Sequence, residues 1–292
     1  MDKMIYAHEH ITIDLAGQKK DPDCRLDDRS AALEELKRLS SLGVGAIVDQ
    51  TNRGMGRDPL YSDELAGEAG IRLLHATGYY KEPFLPEECY TLNENELCDI
   101  MLGELTDCIC ETGIRASLIG EIGTSKDAVK PIEEKILRAG ARAHKETGAP
   151  VCTHTTLGLL GMEQITIFRE YGVDLSKVVI SHLDLTGDTE YMLRLLDTGV
   201  NIGFDTIGKL NYQPDSGRVL WLELLCSRGY VGQIVLSMDI TRKSHYQANG
   251  GPGYAYLAET FLPLARAAGC GDRDLEIMLT DNPARLYFGE GR

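Results

Sequence analysis

The 292-residue chain predicts an α/β fold, a closed TIM (β/α)8 barrel forming one domain over residues 1–292. Three observations predict it. Short, β-branched apolar runs alternate with longer amphipathic stretches, the pattern of parallel βα units. Eight such runs fit in fewer than 300 residues, and one barrel needs about 250. No linker, low-complexity segment or shift in composition divides the chain. An open sheet also accommodates eight strands, so the count favours the barrel without excluding that alternative.

In chain order the expected strands are Met4–His10, Ala46–Thr51, Arg72–Thr77, Ala116–Ile122, Val151–His154, Val178–His182, Val200–Asp205 and Ile234–Asp239. Each is short and bounded by turn residues. Ser30 is the expected N-cap of a helix through Leu42, with Leu33, Leu36, Leu39 and Leu42 at apolar positions and Gly43 as its stop. Pro131 suits the first turn of a helix ending near Gly148. Asp188–Thr198, Asp215–Arg228 and a terminal segment, Asp272–Thr280, supply further helices.

Composition removes several functions. A formal net charge of −15 argues against nucleic acid, whose phosphates demand a basic face. No stretch approaches the roughly 18 apolar residues that a membrane span requires. The opening MDKMIYAHEH lacks the apolar segment of a secretion signal, and the eight cysteines show no CxxC pair or disulfide spacing. The expectation is a cytoplasmic protein with free thiols, a small-molecule substrate, no nucleic-acid or membrane partner, and homo-oligomerisation left open.

The informative feature is where the ionisable residues fall. His8 and His10 end the first expected strand, Glu121 the fourth, His154 the fifth, His182 the sixth and Asp239 the eighth. Strand C-termini of a parallel barrel gather at one face, where active sites form. Six metal-competent side chains therefore converge on one mouth. Residues i and i+2 of a strand share a side, so His8 and His10 can hold one cation while Glu9 points away. Imidazole with carboxylate suits zinc, manganese, cobalt or iron. Two cations within about 4 Å need an anion between them, and Glu121 and a hydroxide can both serve. Taken singly, an HxH pair or a lone histidine is more often a packing feature, and a strand-end Asp is often a helix cap. Four of the seven histidines at strand ends, with two acids at others, carry the reading together. His75, inside a strand, and His144, on a helix, fit packing roles.

The segments AHEHITIDL, MGR, TGYY, EIGTS, THT, GVDLS, FDTIGK, SMDITRKSHYQANGGPGYAYL and DNPARLYF span the whole chain. In this order they resemble the phosphotriesterase family of the amidohydrolase superfamily, and within it the glutamate-bridged bacterial homology proteins. The resemblance implies a (β/α)8 barrel with two divalent cations at the strand C-termini, zinc foremost, with manganese or cobalt as alternatives. It implies that His8, His10 and Asp239 hold the more buried cation, that His154 and His182 hold the more exposed one, and that Glu121 bridges them. The chain departs from the wider family, which bridges with a carboxylated lysine; the nearest lysine here, Lys126, lies five residues beyond Glu121.

The expected chemistry is hydrolysis by a metal-bridging hydroxide, with Asp239 transferring the proton to the leaving group. Tyr80 is the second expected catalytic residue, hydrogen-bonded to the reacting oxygen. Tyr79, Arg242, Lys243 and His245 are the expected substrate-binding residues, the cations suiting a phosphate or carboxylate handle. Arg53, Arg57 and Lys209 stand on neighbouring loops. The favoured substrate is a lactone or ester with a small anionic group, such as a phosphorylated sugar lactone. The alternatives are a phosphotriesterase-type hydrolase of phosphate esters, a mononuclear hydrolase, and a non-catalytic metal-containing binding protein.

Overall fold

A computed structural model describes residues 3–289. Eight parallel strands run in chain order around one sheet. They are β1 (Met4–Glu9), β2 (Val44–Asp49), β3 (Arg72–Thr77), β4 (Leu118–Thr124), β5 (Val151–Thr155), β6 (Val178–Ile180), β7 (Asn201–Phe204) and β8 (Ile234–Leu236). The barrel, rather than the open sheet, is the architecture. Where β8 returns to β1, side chains complete the closure. The Ser237 hydroxyl accepts from the His8 amide at 3.1 Å and donates to Glu9 at 2.7 Å. The Glu9 carboxylate also accepts from the amides of Met238 at 2.7 Å and Ile240 at 3.0 Å. Glu9 thus points away from the mouth and ties the two end strands together.

Burial sorts the side chains of each strand into two layers. Ile5, Ala7, Ala46, Val48, Leu74, Ala76, Leu118, Cys152, Val179 and Val235 fill the interior, and Leu286 and Tyr287 of the terminal helix close its floor. The intervening positions pack outward against the helices. Those helices include α1 (Arg29–Ser41), α2 (Pro59–Glu68), α3 (Glu94–Thr106), α4 (Pro131–Thr147), α5 (Gly161–Glu170), α6 (Thr189–Leu196) and α7 (Asp215–Ser227).

Pro131 begins α4 and Gly148 ends it in a left-handed conformation, as expected. The N-cap of α1 is Asp28, not Ser30: its carboxylate accepts from the Ala31 amide at 3.0 Å. The terminal segment continues beyond Thr280 through a π turn at Ile277–Asp281 to Phe288. Cys108 and Cys110 lie past the end of α3, and all eight cysteines are free thiols. No helix among the described residues is long and apolar enough to cross a membrane.

Candidate metal centre

Strict alternation would send His8 outward, because Ile5 and Ala7 face the interior while Tyr6 packs outside. The register between β1 and β2 slips between Tyr6 and Glu9, and this bulge turns His8 into the mouth. The same device operates in β4. Ile119 and Ile122 both face outward although they are three apart, and the register slips between them. The slip delivers Glu121 to the interior. Gly120 permits it: a Cβ there would lie 2.6 Å from the Gln50 side chain and 2.9 Å from Cys152. Asn52 fixes the bulge by donating to the carbonyls of Gly120 at 3.0 Å and Glu121 at 2.8 Å. His154 stays in phase on β5. His182 and Asp239 lie just past β6 and β8 with φ of 65° and 50°, a region that non-glycine residues enter at a cost of about 1–3 kcal/mol and chiefly at functional sites.

These devices bring all six expected residues together. The ligand atoms of His8, His10 and Asp239 lie within 4.8 Å of one another, as do those of His8, Glu121 and His182. Glu121 stands between the two sides. Its Oε1 is 3.5 Å from His10 Nε2; its Oε2 is 3.1 Å from His154 Nδ1 and 3.4 Å from His182 Nε2. Asp239 Oδ1 lies 3.3 Å from His10 Nε2 and 3.8 Å from His8 Nε2.

Three of the four imidazoles are held from behind. His8 Nδ1 meets the Ser181 hydroxyl at 3.1 Å, His10 Nδ1 the Thr51 hydroxyl at 2.8 Å, and His182 Nδ1 the Asp205 carboxylate at 2.8 Å. Yet His8 Nε2 and His10 Nε2 are fully buried and make no hydrogen bond. A buried polar atom without a partner costs about 1–3 kcal/mol. Two such atoms aimed at the same carboxylates fit a divalent cation, with partners behind them of the kind that orient metal-bound histidines.

The carboxylates draw positive charge to this place. Burial opposes charge on His10, but the Asp239 and Glu121 carboxylates overcome it and raise its pKa to about 9. Burial pulls His154 down to about 4, which keeps that imidazole neutral with a lone pair free. Burial would raise Glu121, but the four histidines around it hold it well below the usual carboxylate range. Asp239 is likewise held down against burial, by Lys209 first and then His10.

The cavity above this floor measures about 260 Å³ and is lined by Lys19, Tyr80, Lys81, Phe84, Leu157, Lys209 and Tyr212 among others. Tyr80 holds its expected place, its hydroxyl 3.3 Å from His154 Nδ1. The expected substrate-binding residues do not line this cavity. Tyr79 is wholly buried beside Arg53, whose guanidinium stands 5.9 Å from its ring. Arg242 is turned to Asp21 and Asp23, at 2.7 and 3.4 Å, and Lys243 to Asp27 at 2.5 Å. His245 accepts from the Thr241 amide at 3.4 Å. Arg53 and Arg57 are spent on Glu104 and Glu88. The lysines of the cavity were not singled out by the sequence, apart from Lys209, which pairs with Asp239 Oδ2. Asp205 was missed as a partner of His182; its only signal is a third acid at an expected strand end. His75 and His144 do have packing roles, the latter between Ala149 O at 2.7 Å and the Asp174 amide at 3.1 Å.

Eight parallel strands whose C-terminal ends gather four imidazoles and two carboxylates define a metal-dependent hydrolase barrel. The chain belongs to the phosphotriesterase family, whose model matches residues 3–287. It is 42% identical over 281 residues to the phosphotriesterase homology protein of Escherichia coli (strain K12), covering 96% of each chain. The crystal structure of that protein, complexed with phosphate in its active site, matches with a TM-score of 0.96 and 41% identity over 98% of this chain and 99% of that one. A lactonase from Listeria monocytogenes matches with a TM-score of 0.94 and 29% identity, covering 99% and 96%. The N-acetyltaurine hydrolase of Dictyostelium discoideum is 31% identical over 274 residues, covering 90% of this chain and 74% of that one. The chain is therefore a hydrolase of a family whose named members include a lactonase and an N-acetyltaurine hydrolase.

Proposed function

We propose that the chain hydrolyses a lactone or ester bearing a small anionic group, using two divalent cations, zinc foremost, held in the six-residue cluster. The carrying observation is the position of Glu121, one carboxylate oxygen towards His10 and the other towards His154 and His182. His8, His10 and Asp239 would hold one cation, His154 and His182 the other, with Glu121 shared. Such cations, when bound, supply an acidified water and electrophilic assistance to a substrate oxygen.

The protein's own groups do the rest. Asp239 keeps Oδ1 towards His8 and His10 and Oδ2 towards Lys209. It receives the proton released by the attacking water and delivers it to the leaving oxygen, with Lys209 steadying its charge. The Tyr80 hydroxyl, on the cavity wall beside His154, donates to the substrate carbonyl oxygen. The cavity of about 260 Å³ suits a small-molecule substrate. The chain acts in the cytoplasm on this reading.

Lactones lead because the bond must open without a bulky leaving group, and a structurally similar relative is named a lactonase. The N-acetyltaurine hydrolase relative brings an N-acetyl amide into the same assay panel. The test follows proton release from lactones, esters and phosphotriesters, and release of free amine from amides, with the metal-loaded protein. Turnover of lactones above the other classes, abolished by chelation, is the expected result. Preference for a neutral phosphotriester would overturn the lactone reading.

A further inference from the structure

Asp239 stands just past β8 with its backbone in the left-handed region, at φ of 50°. A non-glycine residue persists there only where its surroundings hold it. Its side chain is engaged at both oxygens, Oδ1 towards His8 and His10 and Oδ2 at Lys209. Those contacts do not fix the peptide groups on either side, and the peptide groups decide where the side chain starts.

Three donors from this segment converge on one carboxylate. Glu9 is fully buried. Its Oε1 accepts from the Ser237 hydroxyl at 2.7 Å and from the Met238 amide at 2.7 Å, and its Oε2 accepts from the Ile240 amide at 3.0 Å. Met238 and Ile240 flank Asp239, so one carboxylate grips the chain immediately before and after it. Both residues are buried, which leaves their amides no water as an alternative partner. The Asp239 amide itself donates to the His8 carbonyl at 3.3 Å, next to Glu9 in the chain.

His182 shows the same arrangement. It too is left-handed, at φ of 65°, and its amide donates to the buried Asp205 carboxylate at 2.8 Å. A carboxylate suits such a task because it only accepts, and it can take all three bonds from Ser237, Met238 and Ile240. A glutamine amide would turn an N–H towards at least one of these donors. A seam between β8 and β1 needs a tie, but not one that brackets a single residue. We propose that Glu9 is a positioning residue, which holds Asp239 in its left-handed conformation and aims the Asp239 carboxylate at the His8 and His10 side of the cluster. The proton transfer that this aim serves rests on the function proposed above; the clamp does not.

A crystal structure of the full-length Glu9→Gln chain reads the clamp without catalysis. The Asp239 backbone should leave the left-handed region, and Oδ1 should move away from His10 Nε2. Competition with a chelator should show zinc affinity lower by about tenfold, the lower end of what loss of a group supporting a ligand costs. Ser237→Ala loosens the seam but spares both amide bonds, and should stay within about twofold of wild type on the same measure. An unmoved Asp239 backbone, or an equal loss of zinc affinity in Ser237→Ala, would overturn the proposal. In turnover of a lactone or ester, Glu9→Gln should lower kcat about tenfold with KM nearly unchanged, yet less than about twofold in an Asp239→Asn background. Equal losses in both backgrounds would show that Glu9 does not act through Asp239. Should Glu9→Gln fail to fold, Glu9→Asp, too short to span both amides, takes the same tests. Absence of turnover in wild type would contradict the proposed reaction, while the Asp239 backbone and the zinc affinity would still decide the clamp.

Discussion

Two groups of buried charge lie on neighbouring loops of the barrel mouth, and they differ in how their atoms are satisfied. Arg218, fully buried at the start of α7, pairs with Asp184 at 2.7 Å and Asp215 at 2.8 Å, and donates to the Thr206 hydroxyl at 3.1 Å. That guanidinium has its partners in place and asks for nothing further. In the cluster of His8, His10, Glu121, His154, His182 and Asp239, two imidazole nitrogens are buried and unpaired, facing carboxylates that point back at them. Burial of charge therefore does not mark a site by itself. Donor atoms held from behind and left open in front do.

Breaking one member of each group should separate their roles. Asp239→Asn should lower kcat by about 10²–10⁴-fold, the usual worth of a positioned proton-transfer group, with a smaller change in metal content. Retention of full rate would remove Asp239 from proton transfer. Arg218→Met should cost about 3–5 kcal/mol of stability by leaving Asp184 and Asp215 buried without their cation. Denaturant unfolding measures it, and turnover by the folded, metal-loaded fraction should stay near wild type. Asp205→Asn should weaken metal binding by about 10–100-fold, because it loosens the hold on His182 without removing a ligand. Competition with a chelator reads that loss.

A smaller effect concerns Glu104, buried between Arg57 and Arg53. Burial raises its pKa, but Arg57 and then Thr77 and Arg53 outweigh burial and hold it below its ordinary 4.5. Because the folded carboxyl is the stronger acid, the unfolded chain takes up the proton first as pH falls. The stabilisation is present above pH 4.5 and disappears as pH drops through the lower folded value. Glu104→Gln should cost about 2 kcal/mol at pH 7, with the gap to wild type closing at acid pH. A gap independent of pH would show that shape, not charge, matters at this position.

Much of this was legible in the sequence, and the omissions have physical causes. The eight strands follow from short apolar runs, and the six clustered residues from the histidines and acids at or next to the ends of five of them. The argument from alternation was incomplete. On a regular strand His8 would have joined Tyr6 on the outside, and bulges in β1 and β4, which leave no mark in a period-two pattern, bring His8 and Glu121 inward. His182 and Asp239 needed left-handed backbone just beyond their strands. The cations of the loop after β8 were read without their partners. Asp21, Asp23 and Asp27 lie more than 200 residues earlier and neutralise Arg242 and Lys243 across the mouth. Lys19 and Lys81 drew no notice because only the folded chain brings them to the cavity wall.

The central claim is that the open nitrogens of His8 and His10 and the shared carboxylate of Glu121 hold a pair of cations. Elemental analysis of the purified chain, beside His10→Ala and Glu121→Ala, tests it most directly. The account predicts about two divalent cations per chain in wild type, with cations lost from both variants and more than about a hundredfold of activity lost with them. One cation or none in wild type, not raised by added zinc or manganese, would contradict it.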